Sequence, residues 1–497
     1  MTTIIFYLRF MKFALSTSLT TSDVLFLSFF KSETLNAKMK SALGAKTAKQ
    51  VEARFKSKDF EGDEGQTLTL FPEGSKWKRV VLLGRGKNAE AVPQATEFLG
   101  AKISDCAKAA KATSITILTD EADFSELAYG FVLGTYEFKR YKAQDKKTPS
   151  LEKVTFVLPT VKKGHCEQLT WIESFEHVSP SVRDLINTCA GDLNPMDMAK
   201  IAEQVGKKSG FKVTVLDLKK LRKLGCHALA GVGQGASSEP CMVILEYRHK
   251  SKAKEPNIAF IGKGITFDTG GLNLKPTGHI ETMNQDMTGA AIVLGTLQTL
   301  AENKVPGYFL GVMACAENAI SDRAQHPGDV VKAYNGKTIE VNNTDAEGRV
   351  VLADALSYTE KNYKPKRMID IATLTGAVTV ALGYTITGVM GTEQKFLDCV
   401  LDCAKRVHER MWPLPLDEDF VKLCKGNCSD LKNTTDGVRA GAIMGAAFLK
   451  HFVEKTPWVH LDVGGTAWVE HPTPSTKYGA TTAGLRTLIE LAKHYAD

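Results

Sequence analysis

Cysteine is scarce: ten residues in a chain of 497, several in apolar settings such as Cys315 within Gly311-Val312-Met313-Ala314-Cys315, are too few for a disulfide framework and fit a reducing compartment, the cytoplasm. Long apolar runs are also lacking near the N-terminus. Phe13-Ala14-Leu15 and Val24-Leu25-Phe26-Leu27-Ser28-Phe29-Phe30 fall far short of the roughly 20 residues a membrane helix needs, so no membrane partner is expected. The absence of low-complexity tracts and short repeats excludes solenoids and largely disordered chains. Charge of one sign is lacking as well. The 63 basic and 56 acidic residues leave +7, and the basic ones are interspersed, as in Lys219-Lys220-Leu221-Arg222-Lys223. Without a groove-reading motif beside them, nucleic acid is not the expected partner.

What is present is the composition of a globular protein, 43% hydrophobic and 24% charged, at a length that exceeds one hydrophobic core. Residues 1–40 stand apart. They are Ser/Thr-rich and poor in acids, and read equally as a targeting segment for mitochondria or another organelle, a non-native extension, or a flexible tail, with Met39 as an alternative start. Over 41–175, strand-like runs such as Arg79-Val80-Val81-Leu82-Leu83-Gly84 and Ser114-Ile115-Thr116-Ile117-Leu118 alternate with helical stretches, predicting a smaller N-terminal α/β domain. A helix around Ser181 to Thr188 is expected to open the second unit. Over 176–497 the alternation recurs at larger scale, predicting an α/β domain whose central mixed, mainly parallel sheet is flanked by helices. Such a sheet gathers ligands at the carboxyl ends of its strands. Cys399/Cys403 and Cys424/Cys428 share a C-x3-C spacing, but the first pair lies in a helical pattern, which argues against a thiolate zinc site.

Two polar clusters follow strands of the second unit. After Ile258-Ala259-Phe260-Ile261-Gly262 comes Lys263-Gly264-Ile265-Thr266-Phe267-Asp268-Thr269-Gly270-Gly271, then Lys275 and Met283-Asn284-Gln285-Asp286. Farther on stands Asn343-Thr344-Asp345-Ala346-Glu347-Gly348-Arg349. In an extended segment, residues two apart share a side, so Asp345, Glu347 and Arg349 are expected to project together. Convergence of Asp268, Asp286, Asp345 and Glu347 implies shared protons or bound cations, because four unneutralised carboxylates repel. Oxygen ligands of this kind favour divalent metals. Taken singly, each residue has a plain alternative: a surface lysine, a helix-start aspartate, a capping box.

Both strings resemble the signatures of the leucyl aminopeptidase family, the dizinc hexameric cytosol aminopeptidase type. Further resemblance runs through Asp370-Ile371-Ala372-Thr373-Leu374-Thr375-Gly376 and His460-Leu461-Asp462, covering about residue 180 to the end. It implies one metal held by Asp268, Asp345 and Glu347, and a second held by Lys263, Asp268, Asp286 and Glu347. The ions would be Zn²⁺ or Mn²⁺, with Mg²⁺ or Co²⁺ as alternatives. A ligating lysine must be the neutral amine, so its pKa would be forced down by the adjacent cations. The implied catalytic residues are Lys275, stabilising the oxyanion, and Arg349, holding a bicarbonate general base. The implied substrate is a short peptide with a free N-terminus and a leucine-like first residue. Its side chain would enter a pocket of Met283, Thr373, Gly376, Gly464 and Ala467, made roomier by Gly464 and Ala467. A homohexamer is expected. Competing readings are a dimetal phosphoesterase, which usually adds histidines absent from these strings, and a catalytically silent scaffold or polyanion-binding protein that keeps the fold.

Overall fold

The segment Ser22–Phe29, Ser-Asp-Val-Leu-Phe-Leu-Ser-Phe, is a nearly unbroken apolar run rather than an alternating one, the pattern of a strand covered on both faces. The computed structural model, which describes residues 11–87, 93–143, 150–435 and 437–497, places it inside a parallel sheet. In chain order that sheet comprises β1 (Lys12–Ser16), β2 (Ser22–Phe29), β3 (Thr67–Leu70), β4 (Trp77–Gly84), β5 (Ser114–Leu118) and β6 (Lys153–Val157). Their order across the sheet is β1-β6-β5-β2-β4-β3, with every neighbouring pair parallel except β3/β4. Val24, Leu25, Phe26, Leu27 and Phe29 are each at most 1% exposed. This corrects the expectation of an extension over 1–40, because residues 12–29 supply two strands, one of them central. The unit comprises the described part of Ile4–Pro180, together with His471–Tyr478.

The other unit, Ser181–Glu470 with Gly479–Asp497, is built on eight strands. These are β7 (Lys212–Leu216), β8 (Cys241–His249), β9 (Ile258–Asp268), β10 (Gly307–Asn318), β13 (Met368–Ala372), β14 (Thr387–Gly391), β15 (Met411–Pro413) and β17 (Trp458–Asp462). Between them in sequence, β11 (Val330–Lys332), β12 (Thr338–Glu340) and β16 (Leu431–Lys432) form a small sheet, and β18 (Trp468–Val469) pairs with β19 (Gly479–Ala480). The large sheet runs β15-β14-β17-β13-β9-β10-β8-β7. Its centre, β17-β13-β9-β10, is all parallel, and β14, β8 and β7 are joined antiparallel. The mixed, mainly parallel α/β architecture expected from sequence is therefore present.

Two differences matter for the site. A single helix, Lys163–Asn187, runs through the region where a boundary at 175/176 and a fresh helix at Ser181 were expected, with Pro180 inside it. And β9 does not stop at Gly262 but continues to Asp268, so Lys263 points from within a strand. The buried helix Thr288–Glu302 rests its first turn directly on this sheet. A side chain at Gly289 would meet Ile371 O at 2.0 Å, and one at Gly262 would meet Gly289 O at 2.4 Å, so both positions need glycine for that approach. The contact brings the turn before the helix, Met283–Met287, over the carboxyl ends of β9 and β13.

Candidate metal centre

The four central parallel strands end at one place. β9 ends in Asp268, β10 in Asn318, β13 passes into Thr373, and β17 ends in Asp462. Onto these ends fold three connecting segments. The 3-10 turn Met283–Met287 carries Asp286 and the turn Thr344–Ala346 carries Asp345, while the helix Glu347–Tyr363 begins with Glu347. Asp345 and Glu347 thus converge through a tight turn running into a helix, not through the strand alternation expected from their spacing.

Lys263 Nζ lies 2.9 Å from both Asp286 Oδ2 and Glu347 Oε1, and donates to Thr373 O at 2.9 Å. The Asp286 contact is an ion pair whose alignment falls short of a hydrogen bond. Gly348 makes room for this lysine, since a Cβ there would lie 2.6 Å from its Nζ. Lys275 Nζ bridges Asp268 Oδ2 at 2.9 Å and Asp345 Oδ1 at 2.5 Å. It is delivered by the loop after Gly270 and Gly271, whose φ of +84° and +63° suit glycine. That loop is tied down by Thr344, which donates from Oγ1 to Gly270 O at 2.6 Å and accepts from Asn273 N at 2.9 Å.

Lys263, Asp268, Asp286 and Glu347 are each at most 3% exposed, so their charges act in a poorly screened setting. Burial pushes Asp268 up to about 7, with Glu347 adding to the rise and the two lysines opposing it. Burial also raises Asp286 well above the carboxylate range, and raises Asp345. Glu347 goes the other way: burial pushes it up, but Lys263 and Lys275 outweigh that and hold it low. For Lys263, burial disfavours the charge, yet Asp286, Glu347 and Asp268 prevail and raise its pKa; Lys275 is raised similarly by Asp268 and Glu347. Without a cation, then, Lys263 is an ammonium. The neutral amine expected of a ligand requires the positive charge of ions beside it.

These residues fit divalent cations. Four carboxylates face two ammonium groups, leaving more acidic than basic groups at the centre. Oxygens of Asp268, Asp286 and Glu347 lie within 4.8 Å of one another, and among the described residues this is the one His/Cys/Asp/Glu group so arranged. Glu347 Oε2 is buried without a hydrogen-bond partner, as a vacant lone pair awaiting a cation would be. All ten cysteines are free thiols.

Arg349, on the first turn of the same helix, does not join the carboxylates. Its Nη1 donates to Asn433 O at 2.8 Å, and its Nε is buried without a partner. Of the expected pocket residues, Thr373 touches Asp286, Met283 shares the Asp286 turn, and Gly376 and Gly464 flank a turn organised by Asp462. Ala467 is fully buried, its carbonyl accepting from Thr481 N at 2.9 Å. His279 stands exposed on a turn.

Sequence reasoning missed the supports. Asn318 Nδ2 donates to Asp268 Oδ1 at 2.7 Å and to Thr344 O at 3.0 Å, joining both clusters. Asn433 Oδ1 accepts from Asn342 N at 2.9 Å, and its Nδ2 donates to Asn343 O at 2.7 Å, fixing the segment before Asp345. Beneath Asp462, fully buried His460 Nδ1 pairs with Asp370 Oδ2 at 2.7 Å, while Trp458 Nε1 donates to Asp370 Oδ1 at 2.8 Å. Asp370, His460 and Asp462 lie in strings that carried the family resemblance, with no role attached to them; for Asn318 the only signal was its position at a strand end.

Residues 181–489 match the Cytosol aminopeptidase family, catalytic domain, and residues 26–145 match the N-terminal domain of the same family. The "Probable cytosol aminopeptidase" of Protochlamydia amoebophila (strain UWE25) is 36% identical over 491 residues, covering 95% of this chain and 96% of that protein. Its namesake in Agrobacterium fabrum (strain C58 / ATCC 33970) is 38% identical over 463 residues, covering 90% and 91%. Among solved structures, a mutant of tomato leucine aminopeptidase superposes with a TM-score of 0.85 at 30% identity, covering 97% of this chain and 96% of that one. The bottromycin maturation enzyme BotP in complex with Mn superposes at 0.82 and 27% identity, covering 96% and 100%. With a buried acidic centre at the strand ends and this likeness running through both units, the chain belongs to the cytosol aminopeptidase family and is a metal-dependent aminopeptidase, a hydrolase of peptide bonds.

Proposed function

We propose that the chain removes the N-terminal residue, preferably leucine or a similar apolar one, from short peptides, using two divalent ions held by the Lys263, Asp268, Asp286, Asp345 and Glu347 set. The observation that carries this reading is the imbalance of four carboxylates, three of them buried, against two ammonium groups. One ion would take Asp268, Asp345 and Glu347; the other Lys263, Asp268, Asp286 and Glu347. Zn²⁺ or Mn²⁺ would serve with these donors, with Mg²⁺ or Co²⁺ as alternatives. Such a pair supplies Lewis acidity and a water-derived nucleophile at neutral pH. Lys275, already at the centre of the carboxylates, is placed to stabilise negative charge growing on the scissile carbonyl oxygen. Arg349 Nε, buried and unpaired, offers a donor to a small oxyanion such as bicarbonate that would serve as base. Cytoplasmic location and a homohexamer that admits only short peptides complete the proposal.

A free amine offers a localised lone pair, whereas that of an internal amide nitrogen is delocalised into its carbonyl, so the centre discriminates by the substrate's N-terminus. Leucyl 4-nitroanilide is expected to be hydrolysed and N-acetyl-leucyl 4-nitroanilide to be spared. Equal rates would mean that the amine is not recognised, against an aminopeptidase reading.

Metal uptake should rise with pH. Lys263 carries a proton held by Asp286 and Glu347, and it must lose it to become a ligand. Binding that displaces this proton, and those held on the raised carboxyls of Asp268 and Asp286, strengthens as pH rises, about tenfold per pH unit for each proton released. Calorimetric titration with Mn²⁺ in buffers of different ionisation enthalpy measures the release; pH-independent affinity would show that Lys263 does not ligate.

The two pocket glycines should differ. A Cβ at Gly464 would lie 2.5 Å from Thr375 O, so the space beside it is already filled by backbone and the pocket gains no room there. Gly464→Ala is expected to cost about 1–3 kcal/mol in thermal unfolding. At Gly376 a Cβ meets nothing within 4 Å. Gly376→Ala should leave stability within about 0.5 kcal/mol, while lowering kcat/KM for leucyl relative to alanyl substrates.

A further inference from the structure

Two of the three aspartate ligands expected at this centre, Asp268 and Asp286, have their two oxygens treated differently by the protein. Asp268 Oδ1 accepts from Asn318 Nδ2 at 2.7 Å and from Gly270 N at 2.9 Å, leaving Oδ2 to face Lys275. Asp286 Oδ1 accepts from Thr373 Oγ1 at 2.7 Å, leaving Oδ2, buried and without a hydrogen bond, to face Lys263. A carboxylate held by one oxygen presents the other to a cation in a fixed direction. The donors come from different strands: Asn318 ends β10, while Thr373 follows β13.

Thr373 acts twice. Besides its hydroxyl on Asp286, its carbonyl accepts from Lys263 Nζ at 2.9 Å. Asp286 and Lys263 are the two residues that the two-ion reading assigns to the second ion alone, and Thr373 binds both. Its own position is fixed from below. Asp462 Oδ1 accepts from Leu374 N at 3.2 Å, Thr375 N at 3.4 Å and Gly464 N at 3.0 Å, and Oδ2 accepts from Thr375 Oγ1 at 2.6 Å. Asp462 is fully buried, so these bonds stand in a setting where water does not compete.

We infer that Thr373 is the positioning residue of the second ion, setting Asp286 through its hydroxyl and Lys263 through its carbonyl, with Asp462 anchoring the turn that carries it. This rests on the two-ion reading and separates the two ions' supports: loss of the Thr373 hydroxyl weakens one ion and spares the other. A residue that merely lines a pocket changes substrate affinity and leaves metal content alone.

The test counts metal directly. The full chain is stripped by chelation, equilibrated with graded Mn²⁺, and assayed for bound manganese, for the natural sequence, Thr373→Val and Thr373→Ser. The natural sequence is expected to take up two ions per chain. In Thr373→Val one of them should weaken by about 10- to 100-fold, the range for lost outer-sphere support, while the other keeps its affinity; Thr373→Ser should restore both. If Thr373→Val does not fold by far-UV circular dichroism, Thr375→Val, which loosens the turn at Asp462 without touching Asp286, decides the matter and should weaken the same single ion to a smaller degree. Two ions bound as tightly in the Val variants as in the natural sequence would overturn the inference and leave the two-ion reading standing. Fewer than two ions in the natural sequence would overturn both.

Discussion

Glu347→Gln is expected to lower kcat/KM for leucyl 4-nitroanilide by about a thousandfold or more. Glu347 is 3% exposed, its Oε1 lies 2.9 Å from Lys263, and its Oε2 has no hydrogen-bond partner. The amide keeps the shape but removes one negative charge and turns an N–H donor towards Lys263 or towards the cation that Oε2 awaits. Breaking one partner of a buried charged pair costs about 3–5 kcal/mol, and about 4 kcal/mol in the reacting complex is about a thousandfold in rate. Glu347 is also the residue that the proposed arrangement shares between both ions, so bound metal should fall together with activity. Far-UV circular dichroism should be unchanged, since Asp286 still pairs with Lys263. Activity within about tenfold of the natural sequence would place the chemistry elsewhere.

Starting the chain at Met39 is expected to destroy the N-terminal unit. Such a deletion removes β1 and β2, and β2 is hydrogen-bonded on both sides, to β4 and β5. Five large apolar side chains, Val24, Leu25, Phe26, Leu27 and Phe29, lose their burial. At about 2 kcal/mol each that is about 10 kcal/mol, as large as the ~5–15 kcal/mol that holds a typical domain together. Limited proteolysis should then degrade the region up to about residue 180 while the full chain resists. Equal resistance of both would show that residues 12–29 are dispensable. The same reasoning bears on targeting: cleavage near residue 40 would cut away two strands of the sheet.

The catalytic half was far more legible in the sequence than the first forty residues, for a physical reason. Lys263, Asp268, Asp286, Asp345 and Glu347 are charged groups in otherwise neutral strings beside glycines, and burying them together is costly enough that chance does not retain the pattern. The structure brings all five together with Lys275. Ser22–Phe29 misled because a central parallel strand, buried on both faces, has no alternation to mark it, and its flanking serines and threonines look like loop. Asn318 was invisible for another reason. A lone polar residue at a strand end has no partner in its own neighbourhood; that of Asn318 lies 50 positions away, at Asp268. Only the pairing of β9 with β10 reveals it. Asp345 and Glu347 come to one spot through a geometry other than the strand alternation expected, since a turn running into a helix also brings two nearby carboxylates together.

The central claim, that the buried carboxylates work through divalent ions, is met most directly by hydrolysis of leucyl 4-nitroanilide by the full chain after chelation and after return of Mn²⁺, Zn²⁺, Co²⁺ or Mg²⁺, beside Asp345→Ala. The account predicts no activity in the stripped protein, recovery with Mn²⁺ or Zn²⁺, and no recovery with any ion in Asp345→Ala. Full activity after chelation, or a folded protein that no ion revives, would contradict it.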